Sequence, residues 1–355
     1  MSQKRRISKK LIVVCIMALT LLQTTYYAQS VMGYEQETER NDMIIKTNSS
    51  NELEEDSQVA PLPENAKGPA IPMDKGYLVE EIGDGIYAVM DGIFTTMFLT
   101  TGKGVIAVDA PQSLGEKYLN AIKEVTDEPI KYLIYTHAHK DHIGAASLFP
   151  DDVEIFAHEE TAKILEKRQD PNRPIPTKPF KGSQKKLKLG NKELLLDYMG
   201  DNHQRGNIFI YVPDQKVLMA VDIIFPGWVP FRYLALSEDI PGYIEAHAKI
   251  MEYDFDTLVA GHVTRLGTRE DVQTQIDYMN DVQKNAENAL KTTDLNAIGQ
   301  NVGFENPWHL MDVYYDEMIK SCNDATVPKW IDKLGGADIY TDTHCSKIID
   351  SLRLD

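Results

Sequence analysis

Residues 135–146 read YTHAHKDHIGAA, and this stretch places three of the chain's nine histidines within six positions, 137–142. Three buried imidazoles would each need hydrogen-bond partners for their ring nitrogens, which makes such crowding costly in an ordinary protein core. A bound metal ion removes that cost, because neutral imidazole is the commonest metal ligand in proteins. The stretch therefore predicts a metal site, provided that the rest of the chain supplies further ligands.

Further metal-competent side chains each follow a short apolar run of strand length: Asp109 after VIAV, His203 after LLLDYM, Asp222 after VLMAV and His262 after TLVA. Strand-like and helix-like segments alternate along this part of the chain, which indicates a layered α/β architecture. In such proteins the active-site residues lie on short loops at the ends of strands. We therefore expect these side chains to converge on the histidines at 137–142.

The candidate ligands form two sets of three with one residue between them: His137, His139 and His203; Asp141, His142 and His262; and Asp222. A catalytic zinc ion typically takes three protein ligands and a water molecule, so seven donors are too many for one ion. Two divalent ions that share the central aspartate and a bridging hydroxide would use all seven. Their charge would lower the pKa of the bound water towards neutrality.

The pattern His-x-His-x-Asp-His at 137–142, followed by a histidine, an aspartate and a histidine at steps of 61, 19 and 40 residues, resembles the metallo-β-lactamase superfamily. The resemblance covers roughly residues 76–267. It implies an αββα sandwich with a two-metal site in the cleft between the sheets. It also implies that each set of three binds one metal, that Asp222 bridges the two, and that Asp109 supports the metal loop without binding metal.

Four segments are expected along the chain. Residues 1–30 begin with five positive charges, continue with the apolar run LIVVCIMALTLL and end in YAQS, which is typical of a signal peptide. Residues 31–72 are acidic and rich in proline, which favours a flexible linker or an extended arm. The metallo-β-lactamase domain is predicted over 73–270. A C-terminal helical extension, 271–355, follows TREDVQ, where an acid three residues after a threonine marks a helix start.

The charge balance argues against a nucleic-acid partner. Asp and Glu number 54 against 37 Lys and Arg, a net charge of −17, and removing residues 1–30 with their five positive charges changes it to −22. Binding to phosphate backbones needs a basic face.

The signal-like segment at residues 1–30 predicts an exported protein, in the periplasm, at the cell surface or outside the cell. The apolar run is shorter than the roughly 20 residues of a membrane span, so membrane contact is expected only if that segment stays uncleaved. The oligomeric state stays open.

Two cysteines remain once Cys15 is removed with the signal peptide, Cys322 and Cys345. An even number of cysteines in an oxidising compartment favours a disulfide between them. Two buried free thiols are the alternative.

The stretch FPGWVPFRYL, residues 225–234, follows Asp222 closely and is rich in aromatic side chains. One interpretation is a loop that covers the core. The other is a hydrophobic substrate wall containing Trp228, Phe231 and Tyr233, because binding pockets are mostly apolar around a few polar groups.

Together these features predict a secreted hydrolase with two Zn²⁺ per chain, iron and manganese being the alternative metals. A metal-bridging hydroxide would attack a carbonyl carbon of a small-molecule ester, lactone, thioester or amide, with Asp141 and Asp222 as catalytic ligands. Phe225 stands where secreted β-lactamases of the superfamily hold the substrate carboxylate with a lysine, so a β-lactam is a weaker expectation. The alternatives are an iron-dependent dioxygenase of the same fold and a non-catalytic binding protein.

Overall fold

The computed structural model describes residues 59–263 and 265–355. The predicted signal peptide and the first part of the predicted linker lie outside the described residues, so both stay predictions. Residues Val59–Asp355 form one compact unit.

The first sheet has seven strands that neighbour one another in chain order: β1 Leu78–Gly83, β2 Ile86–Met90, β3 Thr95–Thr100, β4 Val105–Val108, β5 Ile130–Ile134, β6 Glu154–His158 and β7 Lys178–Phe180. Neighbours are antiparallel up to β4 and parallel from β4 to β7. Strand β4 is buried on both faces, and its side chains alternate between two cores. This double burial explains why VIAV is apolar throughout rather than alternating.

The second sheet has five strands in the spatial order β12–β11–β10–β9–β8: β8 Gln184–Leu189, β9 Lys192–Asp197, β10 Phe209–Val212, β11 Val217–Met219 and β12 Thr257–Val259. All neighbours are antiparallel except β11 and β12, which are parallel. A 3₁₀ turn at Pro213–Gln215 joins β10 to β11, with Lys216 in the left-handed conformation. The turn has the sequence PDQK, residues 213–216.

The helices are α1 Glu116–Val125, α2 Lys140–Ile143, α3 Glu159–Arg168, α4 Ile240–Met251, α5 Arg269–Thr292, α6 Leu295–Val302, α7 Pro307–Trp330 and α8 Ala337–Leu354. Short 3₁₀ turns lie at Glu64–Ala66 and Ala146–Leu148. Helix α5 begins with the predicted cap: Thr268 Oγ1 accepts from the Asp271 amide, and the Asp271 carboxylate accepts from the Thr268 amide. In the described part of the chain, no helix combines the length and apolar character needed to cross a membrane.

Three hydrophobic cores stack these elements into helix, sheet, sheet and helix layers. Tyr118 of α1 and Leu165 of α3 pack on the outer face of the first sheet. Ile106 and Met219 belong to the core between the two sheets. Tyr243 of α4 packs on the outer face of the second sheet. The predicted αββα sandwich is therefore confirmed.

The C-terminal helices share a core with the second sheet. Tyr278 of α5, Met318 of α7 and Ile348 of α8 belong to the same buried cluster as Phe209 and Leu218 of the sheet. The predicted boundary at residue 270 therefore separates segments of sequence, whereas the packing is continuous across it.

A disulfide joins helices α7 and α8. It links Cys322 to Cys345, with their Cα atoms 5.9 Å apart, and both residues are fully buried. The structure therefore contains the pairing expected from the sequence rather than two free thiols.

Residues 59–72, the end of the predicted linker, pack against the domain. The Asn65 side-chain amide donates to the carbonyl of Lys333 at 3.0 Å, and Trp228 Nε1 donates to the carbonyl of Ala66 at 2.9 Å. Because these polar groups bind the domain, the described part of the linker is an extended arm and not a free tether.

Candidate metal centre and its cavity

The predicted ligands meet where parallel strands of both sheets end. Strands β4 and β5 end beside Asp109 and the 137–142 loop, and strands β11 and β12 end beside Asp222 and His262. The Asp222 amide donates to the Ala260 carbonyl at 3.2 Å, which sets these two loops side by side. Parallel pairing is what brings the carboxyl ends of successive strands to one edge.

Two clusters of donor atoms form at this edge, each with its atoms within 4.8 Å of one another: His137, His139, His203 and Asp222; and Asp141, His142 and His262. The members are those expected from the sequence. The structure brings all seven together.

Asp222 lies between the two sets. Its Oδ2 is 3.4 Å from His137 Nε2, 3.1 Å from His203 Nε2 and 3.1 Å from His142 Nε2, and its Oδ1 is 3.0 Å from His262 Nε2. One carboxylate therefore contacts imidazoles of both sets, which is the position that a bridging ligand requires.

The ring nitrogens are arranged as they would be around cations. His203 Nε2 lies 2.9 Å from His139 Nδ1, and His142 Nε2 lies 3.0 Å from His262 Nε2. His137 Nε2 is buried and makes no hydrogen bond within the described part of the chain. Nitrogens that face each other, and a buried nitrogen without a hydrogen bond, are costly unless a cation satisfies them. The cluster therefore fits a divalent metal site.

The protonation states of the clustered histidines also agree with a divalent metal site. Burial lowers the pKa of His137 well below its usual value and lowers the pKa of His139 to about 4, so both are neutral at pH 7. Neutral imidazole is the form that binds metal. Burial also acts to lower the pKa of His262, but the negative charge of Asp222 and hydrogen bonds to Asp141 and Asp222 raise it to about 10. This side of the cluster attracts positive charge, which a divalent cation also supplies.

Asp109 supports the metal loop through Thr136. The Thr136 amide donates to Asp109 Oδ1 at 2.8 Å, and Thr136 Oγ1 donates to Oδ2 at 2.7 Å. Thr136 Oγ1 also lies 3.0 Å from His137 Nδ1. Because the hydroxyl proton is used by Asp109, the oxygen accepts from Nδ1–H, and Nε2 keeps its lone pair for the cluster. Sequence reasoning predicted Asp109 and missed Thr136.

Polar side chains after His203 connect the ligand-bearing segments. Gln204 Oε1 accepts from the Ala138 amide at 2.9 Å, and Asn207 Nδ2 donates to Asn202 Oδ1 at 3.1 Å and to the Val221 carbonyl at 3.2 Å. Sequence reasoning missed these residues, because an amide side chain in a loop has no distinctive spacing.

Backbone strain concentrates around the cluster. Among the described residues, nine that are not glycine have positive φ. Asp109 and Asp222 belong to the centre, and Ala235, Leu236 and Val263 line its cavity. Tyr233 and Leu234 directly precede Ala235 in the same segment. Such conformations persist where the surrounding structure holds them, and they cluster at functional sites. The run at 233–236 forms a left-handed turn within Arg232–Leu236.

A cavity of about 780 Å³ opens onto the cluster, and its side away from the metal ligands is hydrophobic. Trp228 and Phe231 line it, as the substrate-wall interpretation predicts. Tyr233 does not: the left-handed turn directs it into a separate cavity of about 400 Å³, beside Lys347 and Asp350. The prediction for Tyr233 is corrected accordingly.

The C-terminal extension supplies part of the same cavity. Gly335, Gly336, Ile339 and Tyr340 line it opposite the ligands. Sequence reasoning assigned no function to these positions, because they lie more than seventy residues after His262 and carry no recognisable motif.

A two-sheet sandwich between helices, with a histidine and aspartate cluster at the strand ends, defines a metal-binding αββα protein. The family model described as the metallo-beta-lactamase superfamily matches residues 92–262. This match agrees with the αββα fold and with the histidine and aspartate cluster at the strand ends.

The relatives include more than one kind of enzyme. The chain is 30% identical over 206 residues to the 2,4-dinitroanisole O-demethylase subunit alpha of Nocardioides sp. (strain JS1661), covering 57% of this chain and 62% of the relative. It is 26% identical over 137 residues to metallo-beta-lactamase IND-1 of Chryseobacterium indologenes, covering 38% of this chain and 56% of the relative. Both matches span less than two thirds of the relative's own length.

Solved structures also resemble the chain. A metallo-beta-lactamase from Pontibacter korlensis superposes with a TM-score of 0.49 and 18% sequence identity, covering 57% of this chain and 97% of that one. This superposition leaves 43% of this chain uncovered.

Proposed function

We propose that the protein is a metal-dependent hydrolase that binds two zinc ions and cleaves a carbonyl-centred bond in a small molecule. The observation that carries the proposal is the Asp222 carboxylate, which contacts His203 of one set and His142 and His262 of the other. A shared carboxylate between imidazole-rich sets suits a two-metal hydrolytic centre. The similarity to metallo-beta-lactamases supports it.

Divalent cations at this centre supply Lewis acidity and lower the pKa of a bound water molecule. The protein's own residues keep the imidazoles neutral and oriented, as Thr136 does for His137. Asp141 lines the cavity with 48% of its side chain exposed, and its Oδ2 lies 3.6 Å from His262 Nε2. Burial acts to raise its pKa, but the hydrogen bond to His262 and the nearby histidine charges keep it low. Asp141 is therefore ionised and placed to orient an attacking water molecule or to accept its proton.

Zinc is proposed over iron and manganese because five of the seven donors are imidazoles, which suit zinc well. Export is proposed from the signal-like residues 1–30. The Cys322–Cys345 disulfide supports export, because disulfides persist in oxidising compartments.

A second candidate is removal of a methyl group from an aryl ether. It is favoured by the 30% identity to a 2,4-dinitroanisole O-demethylase subunit and by the hydrophobic cavity beside the metal centre. Because an ether has no carbonyl carbon, this reaction would need a different bond-breaking step at the same centre.

The purified protein, with its metals measured by elemental analysis, tests the proposal. We expect two zinc ions per chain and turnover of at least one compound from a panel of lactones, aryl esters, thioesters, β-lactams and 2,4-dinitroanisole. His137→Ala should abolish turnover, whereas His309→Ala, at an exposed histidine on α7, should leave it unchanged. Iron in place of zinc would support a dioxygenase instead. Metal binding without turnover of any compound would contradict the hydrolase.

A further inference from the structure

We propose that the cavity contains a subsite for an uncharged, apolar group of the substrate, an aryl ring or an alkyl chain, and that the start of helix α8 forms one of its walls. The inference rests on the proposed hydrolase, because the subsite opens onto the metal centre. It adds the chemical class of the substrate and gives the C-terminal extension a role.

Apart from the candidate ligands, most of the side chains that line the cavity are hydrophobic. Phe225, Trp228 and Phe231 come from the segment after Asp222, and Ile339 and Tyr340 come from α8. The cavity volume of about 780 Å³ lies in the range of small-molecule sites, roughly 300–1,000 Å³. A flat or flexible apolar group of moderate size fits such a space.

The scarcity of positively charged side chains disfavours an anionic substrate group beside the hydrophobic side chains of the cavity. Among the described residues that line the cavity, Lys140 is the single lysine or arginine, and it is exposed beside the ligand His139. A carboxylate placed against Phe225 and Trp228 would lose its hydration without gaining an ion pair. The subsite therefore favours a neutral group.

The α8 wall is joined to the loop after Asp222 by backbone hydrogen bonds. The Gly335 amide donates to the Gly227 carbonyl at 2.9 Å, and the Val229 amide donates to the Gly335 carbonyl at 3.1 Å. A Cβ atom at Gly335 would lie 2.7 Å from Cε3 of the Trp228 ring. Only glycine allows this approach, so the extension sets the position of the indole in the cavity.

Helix α8 also holds the second aromatic side chain of the wall. The rings of Phe231 and Tyr340 meet edge to face with centroids 5.2 Å apart. Thr343 Oγ1 accepts from the Tyr233 amide at 2.8 Å, which holds the left-handed turn at its first residue. The extension thus supplies lining residues and stabilises the strained segment that carries Phe231.

The mouth of the cavity is hydrophobic as well. Ile93, Phe231, Leu236 and Ile339 line the cavity, yet these residues are 65%, 47%, 54% and 45% exposed. Exposed apolar side chains grouped around a cavity mark a binding surface. An alkyl chain that extends from the metal centre would contact this rim.

Charge variants at Ile339 test the subsite, because that side chain is at the rim and its replacement leaves the core intact. For wild-type protein, we expect kcat/KM to rise from the para-nitrophenyl acetate to the octanoate, and to fall about tenfold or more when phenyl acetate gains a para-carboxylate. Ile339→Asp should lower kcat/KM for the octanoate by about tenfold, a larger loss than for the acetate. Ile339→Lys should improve cleavage of the carboxylated ester. Leu352→Asp, at a 40% exposed position of α8 outside the cavity, is the control and should match wild type.

A binding measurement separates failure of the subsite from failure of the hydrolase. Hexyl phenyl ketone and its para-carboxylated analogue are not cleaved, so their affinities are measured by calorimetry on the same proteins. Tighter binding of the neutral ketone, weakened by Ile339→Asp and unchanged by Leu352→Asp, supports the subsite even if no ester is cleaved. Equal affinity for both ketones, or no effect of either Ile339 variant, overturns the subsite even if esters are cleaved.

Discussion

At the scale of single residues, Thr136 is the clearest example of a side chain that acts through its neighbours. Its hydroxyl group bonds to both Asp109 and His137, so it couples the position of a buried carboxylate to that of a candidate metal ligand. Burial raises the pKa of Asp109 to about 7, against the charge of His142 and the hydrogen bonds from Thr136, which act to lower it. The donors from Thr136 therefore help to keep Asp109 ionised.

Replacing this hydroxyl should weaken metal binding. Thr136→Val keeps the shape of the side chain and loses Oγ1, so the His137 ring loses the acceptor for its Nδ1–H. We expect zinc affinity, measured against a competing chelator, to fall about 10- to 100-fold, as for other groups that orient metal ligands. Thr136→Ser retains the hydroxyl and should bind zinc nearly as wild type does. Equal affinities for the two variants would disprove the role of Thr136.

At the scale of secondary-structure elements, helix α5 orients the segment that carries Asp222. Gln275 is buried, its Oε1 accepts from the Phe225 amide at 2.8 Å, and its Nε2 donates to the Ile223 carbonyl at 2.5 Å. His247 of α4 lies on the other side, with Nε2 2.7 Å from Gln275 Nε2. Helix α5 therefore supplies hydrogen-bond partners to the backbone that follows Asp222, the proposed bridging ligand.

Gln275→Leu should both destabilise the fold and impair the centre. The change leaves the Phe225 amide buried without its partner, at a cost of roughly 1–3 kcal/mol in the free energy of unfolding. The Ile223 carbonyl loses one of its two donors and keeps the hydrogen bond from the Tyr243 hydroxyl. We expect urea denaturation to report that loss, and zinc affinity to fall because Asp222 is less well positioned. Gln273→Leu, at an exposed position of the same helix, serves as the control. A stable Gln275→Leu variant with unchanged zinc affinity would refute this account.

At the scale of the whole molecule, the helical extension and the sandwich form one folding unit, and buried histidines make its stability depend on pH. Burial lowers the pKa of His247 and of His344 to about 4, although hydrogen bonds to backbone carbonyls oppose the shift. In the unfolded chain their pKa is about 6.5. Between these values the unfolded chain binds more protons than the folded one, so the free energy of unfolding decreases as the pH falls from about 6.5 to 4.

His344→Gln should reduce this pH dependence. The variant removes a group whose protonation favours unfolding, and the loss of stability from pH 7 to pH 4 should shrink by up to about 3 kcal/mol relative to wild type. Urea denaturation at both pH values measures the difference. His309→Gln, at an exposed histidine, should show the wild-type dependence. The same pH dependence in His344→Gln and wild type would contradict the prediction.

The sequence by itself determined the candidate metal centre and the layered fold. HAHKDH, followed by His203, Asp222 and His262, defines the candidate ligands, because metal binding depends on side-chain types that can be recognised without coordinates. The apolar runs VIAV, LLLDYM, VLMAV and TLVA predicted strands β4, β9, β11 and β12, because burial of a strand leaves a continuous apolar signal.

Only the tertiary structure decided what surrounds that centre. Tyr340 reaches the cavity through packing between α8 and a loop more than one hundred residues earlier, and no local pattern encodes such a contact. Gly335 could not be distinguished from any other glycine until the Trp228 ring was seen against it. The prediction for Tyr233 was wrong because the direction of its side chain depends on a left-handed turn that α8 helps to hold. Distant contacts impose this backbone conformation, so the local sequence does not predict it.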